Sequence, residues 1–430
     1  MSQLQYTRKI MNKYILFIKK TTLVKKIRLV YYRFLNKKYY LRYLKKKKNK
    51  IEEDGIILIT HNLNRAGAPV LLLYIARYLY ENNIPFVVMS LEHGPLFDDF
   101  AKYSNVYIKR GYIAKIFFKK MHKKKYTRCI CNTVVSGNYC GYLKREGYSV
   151  ITLIHEMENY ILEEKLENNC LEIISNSDYV VFPSNYVYES FLKCINNTKF
   201  CYRIKHQGLF LIDEITQTKE ESVAFIEEKY GINLKNKKIV INVATACHRK
   251  GFDLFIQTLN NLYKKDKNIF FIWVGDNTEV YLKNEKNKID LECLNNLLLP
   301  GYIKDKELIK AIYNCSDLLY LTSREEPFGS IVLEAFSAGT PVIAFNGCGG
   351  YMDIVKKDYS GELINKFDIE DASTKIIKLV NDNSKMEYLS KNCKLIAKSN
   401  NFSDYCCFLL NLLNEGGKND GTCVNNYTMF

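Results

Sequence analysis

Short apolar runs rich in β-branched residues alternate with segments of helical periodicity over most of the chain. In the first half, a helical pattern spans 70–81, and the apolar runs are IILIT at 56–60, FVVM at 86–89, CICN at 129–132, VITLI at 150–154 and YVVF at 179–182. Continuous apolar runs of this length are typical of strands buried on both faces of a parallel sheet, with helices as crossovers. The pattern therefore predicts an α/β domain over residues 51–213.

A second series of the same kind begins after residue 235. Its predicted strands are 239–243, 269–274, 317–322 and 341–345, and its predicted helices are 251–264, 305–314, 331–338 and 369–381. We interpret the charged segment 214–235 as an interdomain connection, 236–395 as the second domain and 396–430 as a C-terminal helix and tail. Two doubly wound, Rossmann-like domains that face each other would form a ligand-binding cleft at the carboxyl ends of their strands.

Length and composition agree with two globular domains. The 430 residues exceed the length of one typical domain, and the hydrophobic (47%) and charged (25%) fractions are ordinary for folded soluble proteins. No apolar run approaches the ~18 residues needed to cross a bilayer. These features argue against a membrane-spanning chain and against a wholly disordered one.

The net charge of +17 resides in the first 50 residues. They hold 13 Lys, 4 Arg and no acidic residue, whereas the rest of the chain has 46 basic and 46 acidic side chains. Apolar residues recur among these cations at helical spacing, which predicts a basic amphipathic arm over 1–50 that lies on an anionic membrane surface. A solvated basic arm is the alternative. Because the body is electrically balanced, nucleic acid is not expected as a partner.

The 14 cysteines are scattered and include no CxxC pair. This spacing supports neither a zinc site nor a thioredoxin-like motif, and we interpret the cysteines as reduced, mostly buried side chains. Cysteines of this kind fit the cytoplasm. We therefore expect a cytoplasmic protein that is peripheral at the inner face of the membrane.

The candidate chemistry is concentrated between two predicted strands of the second domain, in SREEPFGSIVLEAFSAGTPVIAF at 323–345. Pro327 and Gly329 preclude one continuous helix, so Glu326 is expected on a loop. Glu334 is expected one turn inside a helix N-capped by Ser330. The backbone N–H groups at the start of that helix would face the cleft and favour a phosphate group. Two carboxylates beside such an anion site could accept hydrogen bonds from sugar and ribose hydroxyls, whereas two unrelated surface glutamates are the simpler alternative.

Glu326 and Glu334, separated by seven residues within this motif, resemble the E-x7-E signature of retaining family-4 glycosyltransferases, which have the GT-B fold. The similarity covers about residues 55–395 and includes RKGFD at 249–253, WVGD at 273–276, PGYI at 300–303 and GCGGYMDIV at 347–355. The resemblance implies that Glu334 binds the nucleotide ribose and that Glu326 approaches the donor sugar. It also implies that Phe328, Gly329 and Ser330 contact the sugar and diphosphate, and that Tyr302 and Ile303 contact the base.

Two cations follow the predicted strand 239–243. Arg249 and Lys250 precede Gly251, where positive charge could stabilise a diphosphate leaving group as its charge develops. A solvated basic pair is the alternative. The sequence departs from the fuller family pattern because Thr245 stands where an arginine is often found. Lys250 is therefore the better phosphate ligand, with Arg249 as a partial substitute.

The first domain contributes two candidate loops. THNLNRAGAPV at 60–70 joins a strand to a helix expected to begin near Pro69, and Gly67 in it resembles the family's first glycine loop beside the donor phosphate. A simple strand-to-helix turn is the alternative. VITLIHEMENY at 150–160 places His155 directly after a strand, where it matches the histidine that family members hold beside the donor sugar and acceptor. A satisfied core histidine is the alternative, and Ser184 is a weaker candidate for the same cleft.

The resemblance implies transfer of a sugar from a nucleotide-diphosphate-sugar, such as a UDP- or GDP-sugar, to an acceptor hydroxyl with retention at the anomeric carbon. The expected acceptor is a carbohydrate or a lipid-linked molecule of cell-surface polysaccharide or glycolipid synthesis. No Asp-x-Asp pair occurs in the chain, so we expect neither a metal nor another cofactor. Two rival functions remain open: a sugar-active hydrolase, which also uses paired carboxylates, and a non-catalytic protein that binds membrane or nucleic acid.

Overall fold

The computed structural model describes residues 54–195, 199–209, 215, 217–282 and 289–415. The predicted basic arm over 1–50 and the tail after residue 415 lie outside these residues. The described part of the chain forms two lobes, each built on a parallel sheet with flanking helices. The predicted α/β architecture of two doubly wound domains is confirmed.

The first lobe carries a seven-stranded sheet in the order β3-β2-β1-β4-β5-β6-β7. Its strands are β1 (Ile56–Thr60), β2 (Phe86–Ser90), β3 (Asn105–Ile108), β4 (Arg128–Asn132), β5 (Ser149–Leu153), β6 (Tyr179–Phe182) and β7 (Tyr202–Ile204). Its helices are α1 (Gly67–Glu81), α2 (Phe97–Phe100), α3 (Gly111–His122), α4 (Cys140–Arg145), α5 (Glu158–Glu163), α6 (Glu167–Asn176) and α7 (Asn185–Leu192), with a 3-10 turn at Val134–Tyr139. Every strand pair is parallel, with Ile56 of β1 opposite Phe86 and Arg128.

The second lobe carries a six-stranded parallel sheet in the order β10-β9-β8-β11-β12-β13. Its strands are β8 (Lys238–Val243), β9 (Ile269–Val274), β10 (Leu297–Gly301), β11 (Leu318–Leu321), β12 (Val342–Phe345) and β13 (Gly361–Ile364). The helices after residue 215 are α8 (Lys219–Tyr230), α9 (Phe252–Tyr263), α10 (Thr278–Leu282), α11 (Lys306–Cys315), α12 (Ser330–Ala338), α13 (Ile369–Val380), α14 (Asn383–Ser399) and α15 (Phe402–Glu415), with 3-10 turns at Leu291–Asn296 and Gly350–Asp353. In each sheet the order reverses beside the first strand, and such a switch point opens a crevice for ligands.

The four strands that the apolar pattern did not predict are the four edge strands. β3 and β7 flank the first sheet, and β10 and β13 flank the second. The residues of β3 and β10 are only half-buried throughout, whereas the residues of the inner strands β1 and β9 are all buried. An edge strand has one neighbour and more contact with water, so its sequence need not be a continuous apolar run.

Two segments pack differently from the predicted division of the chain. The segment 214–235, interpreted as a connection, contains α8, which packs against α11 of the second lobe. Asn314 of α11 donates hydrogen bonds to the carbonyl oxygens of Gln217 and Thr218 (2.8 and 3.0 Å). The C-terminal helix α15 packs on α1 and β5 of the first lobe and adds Tyr405 and Leu409 to its core. The sequence did not predict either packing arrangement. The segment 214–230 is strongly charged, and α15 follows the second lobe in the chain.

The lobes touch where α7 begins. The hydroxyl of Ser184 donates to the carbonyl oxygen of Pro327 (2.8 Å), and the N–H of Asn185 donates to Asp353 Oδ2 (3.2 Å). His206 Nε2 lies 3.4 Å from the same carboxylate oxygen. This joint holds the carboxyl edges of the two sheets toward each other.

Twelve of the cysteines are free, and nine of these are buried, as their interpretation as small apolar side chains requires. Cys201 differs, because it is disulfide-bonded. Among the described helices, none has both the length and the apolar character needed to span a bilayer.

Candidate active site

A cleft of about 1080 Å³ lies between the lobes at the carboxyl ends of both sheets. Its walls come from residues 66–71, 155–157 and 248–250 and from the stretch 324–331. The structure brings eight of the eleven predicted site residues to this cleft: Gly67, His155, Arg249, Lys250, Glu326, Phe328, Gly329 and Ser330. Residues that are distant in the sequence thus surround one volume large enough for a nucleotide sugar.

Lys250 and Glu326 form an ion pair on the second-lobe wall. The Lys250 ammonium donates to Glu326 Oε2, which also accepts from the hydroxyl of Ser323 (3.0 Å). Burial raises the pKa of Glu326, but the charges of Lys250 and Arg249 and these hydrogen bonds outweigh it and hold the pKa below its ordinary value. Glu326 is therefore ionised at neutral pH. The ammonium has three donors, so Lys250 can bind a phosphate while it keeps its contact with Glu326.

A network of charged and backbone hydrogen bonds fixes the loop that carries these cations. Arg324 donates to both carboxylate oxygens of Asp253 (2.8 and 2.6 Å) and to the carbonyl oxygen of His248 (2.6 Å). Bidentate pairs of this kind set geometry as well as energy. Gly251 follows the cations with φ +68°, and a Cβ there would lie 2.0 Å from the carbonyl oxygen of Thr322. Only glycine therefore allows this loop to approach the end of β11 so closely.

Helix α12 points its first turn into the cleft, but its cap differs from the prediction. Ser330 is the first helical residue and not the N-cap, because Gly329 occupies the cap position with φ +81° and no side chain caps the helix. A serine cap would require extended backbone, and the left-handed turn at Gly329 replaces it. The uncapped N–H groups of the first turn are consequently available to an anion.

Glu334 is buried one turn further along α12, as predicted, but it does not line the cleft. Its Oε2 accepts from the hydroxyl of Tyr313 (2.7 Å), and its Oε1 is buried without a hydrogen-bond partner among the described residues. Burial raises the pKa of Glu334 to about 7, although the bond from Tyr313 opposes the shift. A buried carboxylate oxygen without a partner is an acceptor suited to a hydroxyl group.

Tyr302 and Ile303 also lie outside the cleft wall. They follow the edge strand β10, where Tyr302 is 53% exposed and Ile303 packs against the core of the second lobe. The carbonyl oxygen of the preceding Gly301 accepts from the N–H of Gly275, so the PGYI and WVGD motifs are joined (3.0 Å). The predicted contact with a base stays a prediction.

His155 is held at both ring nitrogens. Nε2 lies 2.9 Å from Asn132 Oδ1, and Nδ1 lies 3.0 Å from Gln207 Nε2. An amide oxygen accepts and an amide nitrogen donates, so the neutral ring carries its proton on Nε2. Burial, with a smaller contribution from the charge of His61, lowers the pKa of His155 to about 4. The imidazole is therefore neutral at pH 7 and fixed in orientation.

Asn132 links this histidine to the glycine loop. Its Nδ2 donates to the carbonyl oxygen of Ala68 (2.9 Å), next to Gly67. Helix α1 begins at Gly67, two residues before the expected start near Pro69, and it has no side-chain cap. A Cβ at Gly67 would meet nothing within 4 Å, so the loop borders open space in the cleft.

Three supporting residues were missed in the sequence: Asn132, Gln207 and Tyr313. Asn132 had a signal, since it ends the predicted strand 129–132 at the carboxyl edge. The others had none, because they reach the site only through the tertiary fold. Ser184, the weaker candidate, is fully buried, caps α7 and contacts Pro327 across the lobe joint. Among the described residues, no cluster of three or more His, Cys, Asp or Glu side chains could hold a metal ion.

Residues 224–395 match the family model described as glycosyl transferases group 1. The chain is 32% identical over 130 residues to the processive diacylglycerol alpha-glucosyltransferase of Acholeplasma laidlawii, a match that covers 29% of this chain and 36% of that protein. It is 31% identical over 177 residues to the sulfoquinovosyl transferase SQD2 of Arabidopsis thaliana (39% of this chain, 32% of that protein). These matches span only about a third of each relative's length.

Solved structures resemble nearly the whole described chain. The Anabaena protein Alr3699/HepE, crystallised with UDP, superposes with a TM-score of 0.71 at 16% identity, over 84% of this chain and 100% of that chain. A glycosyltransferase from Rickettsia africae superposes with a TM-score of 0.70 at 18% identity, over 85% of this chain and 100% of that chain. At this identity the likeness shows the fold. Residues 224–395 therefore form a glycosyl transferases group 1 domain, within a two-lobed chain of the GT-B fold.

Proposed function

We propose that this chain is a retaining glycosyltransferase that moves a sugar from a nucleotide-diphosphate-sugar, such as a UDP- or GDP-sugar, to an acceptor hydroxyl. The proposal depends on one observation. Lys250, the start of α12 and the start of α1 all lie around one cleft, and neither helix start has a side-chain cap. A cation and two helix N-termini suit a diphosphate. The family match of the second lobe and the fold of both lobes support the same function.

In the proposed complex, the diphosphate lies between Lys250 and the first turn of α12, and Arg249 adds a second positive charge. Negative charge develops on the departing phosphate oxygen as the bond to the anomeric carbon lengthens. Fixed donors stabilise this charge with little reorganisation, because their loops are already braced. Glu334 Oε1, which has no partner among the described residues, would accept a ribose hydroxyl if the bound nucleotide extends beyond the described cleft wall.

The reacting sugar is proposed to lie between Glu326 and His155. Glu326, ionised and held by Lys250, accepts hydrogen bonds from sugar hydroxyls. The acceptor oxygen bonds to the anomeric carbon on the face from which the diphosphate leaves, and its proton passes to the departing phosphate oxygen. This route retains the anomeric configuration and needs no carboxylate nucleophile. His155 orients groups at this centre and does not take up the proton, since its pKa of about 4 makes it a poor base.

The cation and helix termini perform the role that a metal ion performs at other diphosphate sites, so we propose a reaction that does not depend on metal. Phe328, Gly329 and Ser330 would contact the sugar and diphosphate, and Tyr302 and Ile303 the base once the nucleotide is bound. The contact with the base requires the nucleotide to extend beyond the described cleft wall.

We further propose a carbohydrate or lipid-linked acceptor used in cell-surface polysaccharide or glycolipid synthesis. Relatives support this choice, since one is named for diacylglycerol and another for capsular polysaccharide biosynthesis in Staphylococcus aureus. The predicted arm at 1–50 would hold the protein on an anionic membrane surface at the cytoplasmic side. Replacing Lys45, Lys46, Lys47 and Lys48 with glutamine in the full chain should then weaken sedimentation with anionic vesicles.

The decisive experiment measures nucleoside diphosphate released from a panel of nucleotide sugars with and without acceptor, and the anomeric configuration of the product by NMR. A transferase releases diphosphate in proportion to acceptor and retains configuration. Release that is independent of acceptor would favour the hydrolase, and no turnover of any donor would favour a non-catalytic binding protein. Addition of EDTA should leave the rate unchanged.

Lys250→Ala should lower turnover about 100- to 1000-fold, the size of effect seen when one preorganised group that stabilises developing charge is removed. Lys264→Ala is the matched control, because Lys264 is 74% exposed and does not line the cleft. Steady-state kinetics of both variants test the assignment. Equal rates for the two variants would remove Lys250 from the site.

A further inference from the structure

His61 is a second histidine of the cleft, and the mechanism proposed above does not use it. The residue follows β1, lines the cleft and is half-buried there. Because β1, β4 and β5 are neighbours in the sheet, their carboxyl ends place His61, Thr133 and His155 in one row. Burial and then the nearby His61 lower the pKa of His155, so the two rings lie close together. The first-lobe wall thus carries two adjacent imidazoles.

The two imidazoles differ in which ring nitrogens have partners. Both nitrogens of His155 are bonded, one to Asn132 and the other to Gln207. In His61, Nδ1 lies 3.1 Å from the hydroxyl oxygen of Thr133, whereas Nε2 forms no hydrogen bond with any described residue. Nδ1 therefore faces a buried side chain, and Nε2 lies at the other side of the ring. Of these two histidines, His61 is the one with a nitrogen left for a ligand.

Thr133, which holds Nδ1, has an unusual backbone conformation. Its φ is +84°, in a region that β-branched residues rarely adopt. Two hydrogen bonds maintain it: the N–H of Thr133 donates to the carbonyl oxygen of Leu153 (2.9 Å), and its own carbonyl oxygen accepts from the hydroxyl of Ser136 (2.7 Å). Strained backbone of this kind is concentrated at functional sites, where it fixes the direction of a side chain. Here the direction is that of the hydroxyl toward His61.

The contact with Thr133 determines the tautomer of His61. The Thr133 side chain is fully buried, and its hydroxyl has no other hydrogen-bond partner among the described residues. A buried hydroxyl proton without an acceptor is costly, so the hydroxyl donates to Nδ1. The ring proton then lies on Nε2. Burial lowers the pKa of His61, although the charge of Glu92 opposes the shift, so the ring is neutral at pH 7.

We propose that the Nε2–H of His61 donates a hydrogen bond to the oxygen of the acceptor hydroxyl, an inference that rests on the proposed glycosyl transfer. This hydroxyl oxygen has one proton and two lone pairs. The proton passes to the departing phosphate oxygen, and one lone pair bonds to the anomeric carbon as the bond from that carbon to the diphosphate breaks. The second lone pair accepts from His61. His61 thus orients the acceptor without taking up its proton, and Thr133 is a positioning residue.

The tautomer can be measured without any substrate. In the full chain labelled with 15N-histidine, long-range 1H–15N NMR spectra at pH 7 should show the Nε2–H form for His61, whose signals are assigned by their loss in His61→Gln. Thr133→Val removes the hydroxyl but keeps the branched shape, so the Nδ1 signal of His61 should move while that of His155 stays. An Nδ1–H form of His61 would overturn the proposal, because Nε2 could then not donate.

Kinetics with two amide substitutions test the contact with the acceptor. Glutamine places its amide nitrogen near the position of Nε2, whereas the shorter asparagine places it near that of Nδ1. With UDP-glucose as donor and octyl β-glucoside or dioctanoylglycerol as acceptor, His61→Asn should lower transfer roughly 10- to 100-fold, the cost of losing orientation at the reacting centre. His61→Gln should retain most of the transfer. The KM for the donor and UDP release without acceptor should be unchanged in both variants.

The outcomes separate this inference from the proposed function. Equal transfer by His61→Asn and the unsubstituted chain would overturn the role of His61 and leave glycosyl transfer intact. A raised donor KM or slower UDP release without acceptor would place His61 against the donor, which also overturns the proposal. No transfer by the unsubstituted chain to any acceptor would contradict the proposed function, and this inference with it.

Discussion

At the scale of single residues, the candidate site depends on side chains that hold other side chains. Asn132 binds His155 with its amide oxygen and the carbonyl oxygen of Ala68 with its amide nitrogen. The amide nitrogen of Gln207 donates a hydrogen bond to the other ring nitrogen of His155. Both ring nitrogens of this histidine therefore have partners, which is why we propose that the ring acts through its position in the cleft and not as a proton acceptor.

Substituting Asn132 tests this positioning role. Asn132→Leu should lower turnover roughly 10- to 100-fold, with a smaller effect on KM, because misorientation of a group at the reacting centre is costly. Asn132→Asp gives a more specific measurement. A carboxylate beside the ring raises the pKa of His155 from about 4, so turnover should change with pH over a range in which it is constant for the unsubstituted protein. An unchanged pH profile would limit Asn132 to a structural role.

Glu334 gives a second prediction, on stability. Its pKa is about 7 in the folded chain against an ordinary value of 4.5, so the folded state binds this proton more tightly than the unfolded state does. The free energy of unfolding should therefore fall as pH rises from 4.5 to 7, by about 3 kcal/mol from this group. Glu334→Gln, which is neutral at every pH, should lose that part of the dependence. Urea unfolding at pH 5 and pH 7.5 measures it, and identical pH dependence in both proteins would contradict it.

At the scale of elements, the two ends of α12 have the same backbone conformation but different surroundings. Gly329 at the N-terminus and Gly339 at the C-terminus both have φ +81°. An L-residue in this conformation costs about 1–2 kcal/mol at either end, but only Gly329 borders the cleft.

Gly329→Ala should therefore weaken binding of a nucleoside diphosphate at least tenfold, because a Cβ there lies 3.2 Å from Glu326 Cγ and displaces the carboxylate or the turn. Gly339→Ala is the matched control: it should lower the unfolding midpoint but leave diphosphate affinity unchanged, since its Cβ meets only the ends of Ser390 and Lys394. Calorimetric titration and urea unfolding distinguish the two. Equal loss of affinity in both variants would show that α12 responds as a whole.

At the scale of the whole molecule, the chain returns to its first lobe after it has built the second. Helix α15 contributes Tyr405, Leu409 and Leu412 to the same core as α1 and β1. The two lobes are thus joined by two crossings of the chain, in addition to the hydrogen bonds around Ser184 and Asp353.

Leu409→Ala should consequently destabilise the first lobe, although the residue lies near the C-terminus. Leu409 is 1% exposed, and a truncation of this kind in a packed core costs about 2–5 kcal/mol. Leu395→Ala is the control, since Leu395 is mostly exposed. Urea unfolding followed by circular dichroism should show a lower midpoint for Leu409→Ala alone. A midpoint equal to that of the unsubstituted chain would mean that α15 is dispensable for the first lobe.

The charged residues after residue 50 are unevenly distributed along the chain. The totals after residue 50 balance at 46 basic and 46 acidic side chains, yet residues 109–125 carry eight cations and no acid. A balanced total therefore conceals a local basic surface. The structure adds what the count lacks, namely that the cations of α3 share an exposed face with Tyr112 and Ile116.

The local pattern was sufficient for the architecture of both lobes. All nine predicted strands exist, because strands buried on both faces must be apolar throughout. Edge strands need not be apolar throughout, so the apolar pattern did not predict them. The motif around Glu326 also indicated the loop and the helix start that form the second-lobe wall, because both are local features. The left-handed cap at Gly329 and the position of Glu334 outside that wall were not predicted.

Only the tertiary structure decided which distant residues meet. Asn132, Gln207 and Tyr313 have side chains that could satisfy many partners, and their contacts with His155 and Glu334 arise from strand order and lobe packing. The same holds for the ionisation of Glu334, which burial sets, and for α15, whose apolar face could cover either lobe. Periodicity encodes which face of an element is buried, whereas the partner of that face depends on the topology of the entire chain.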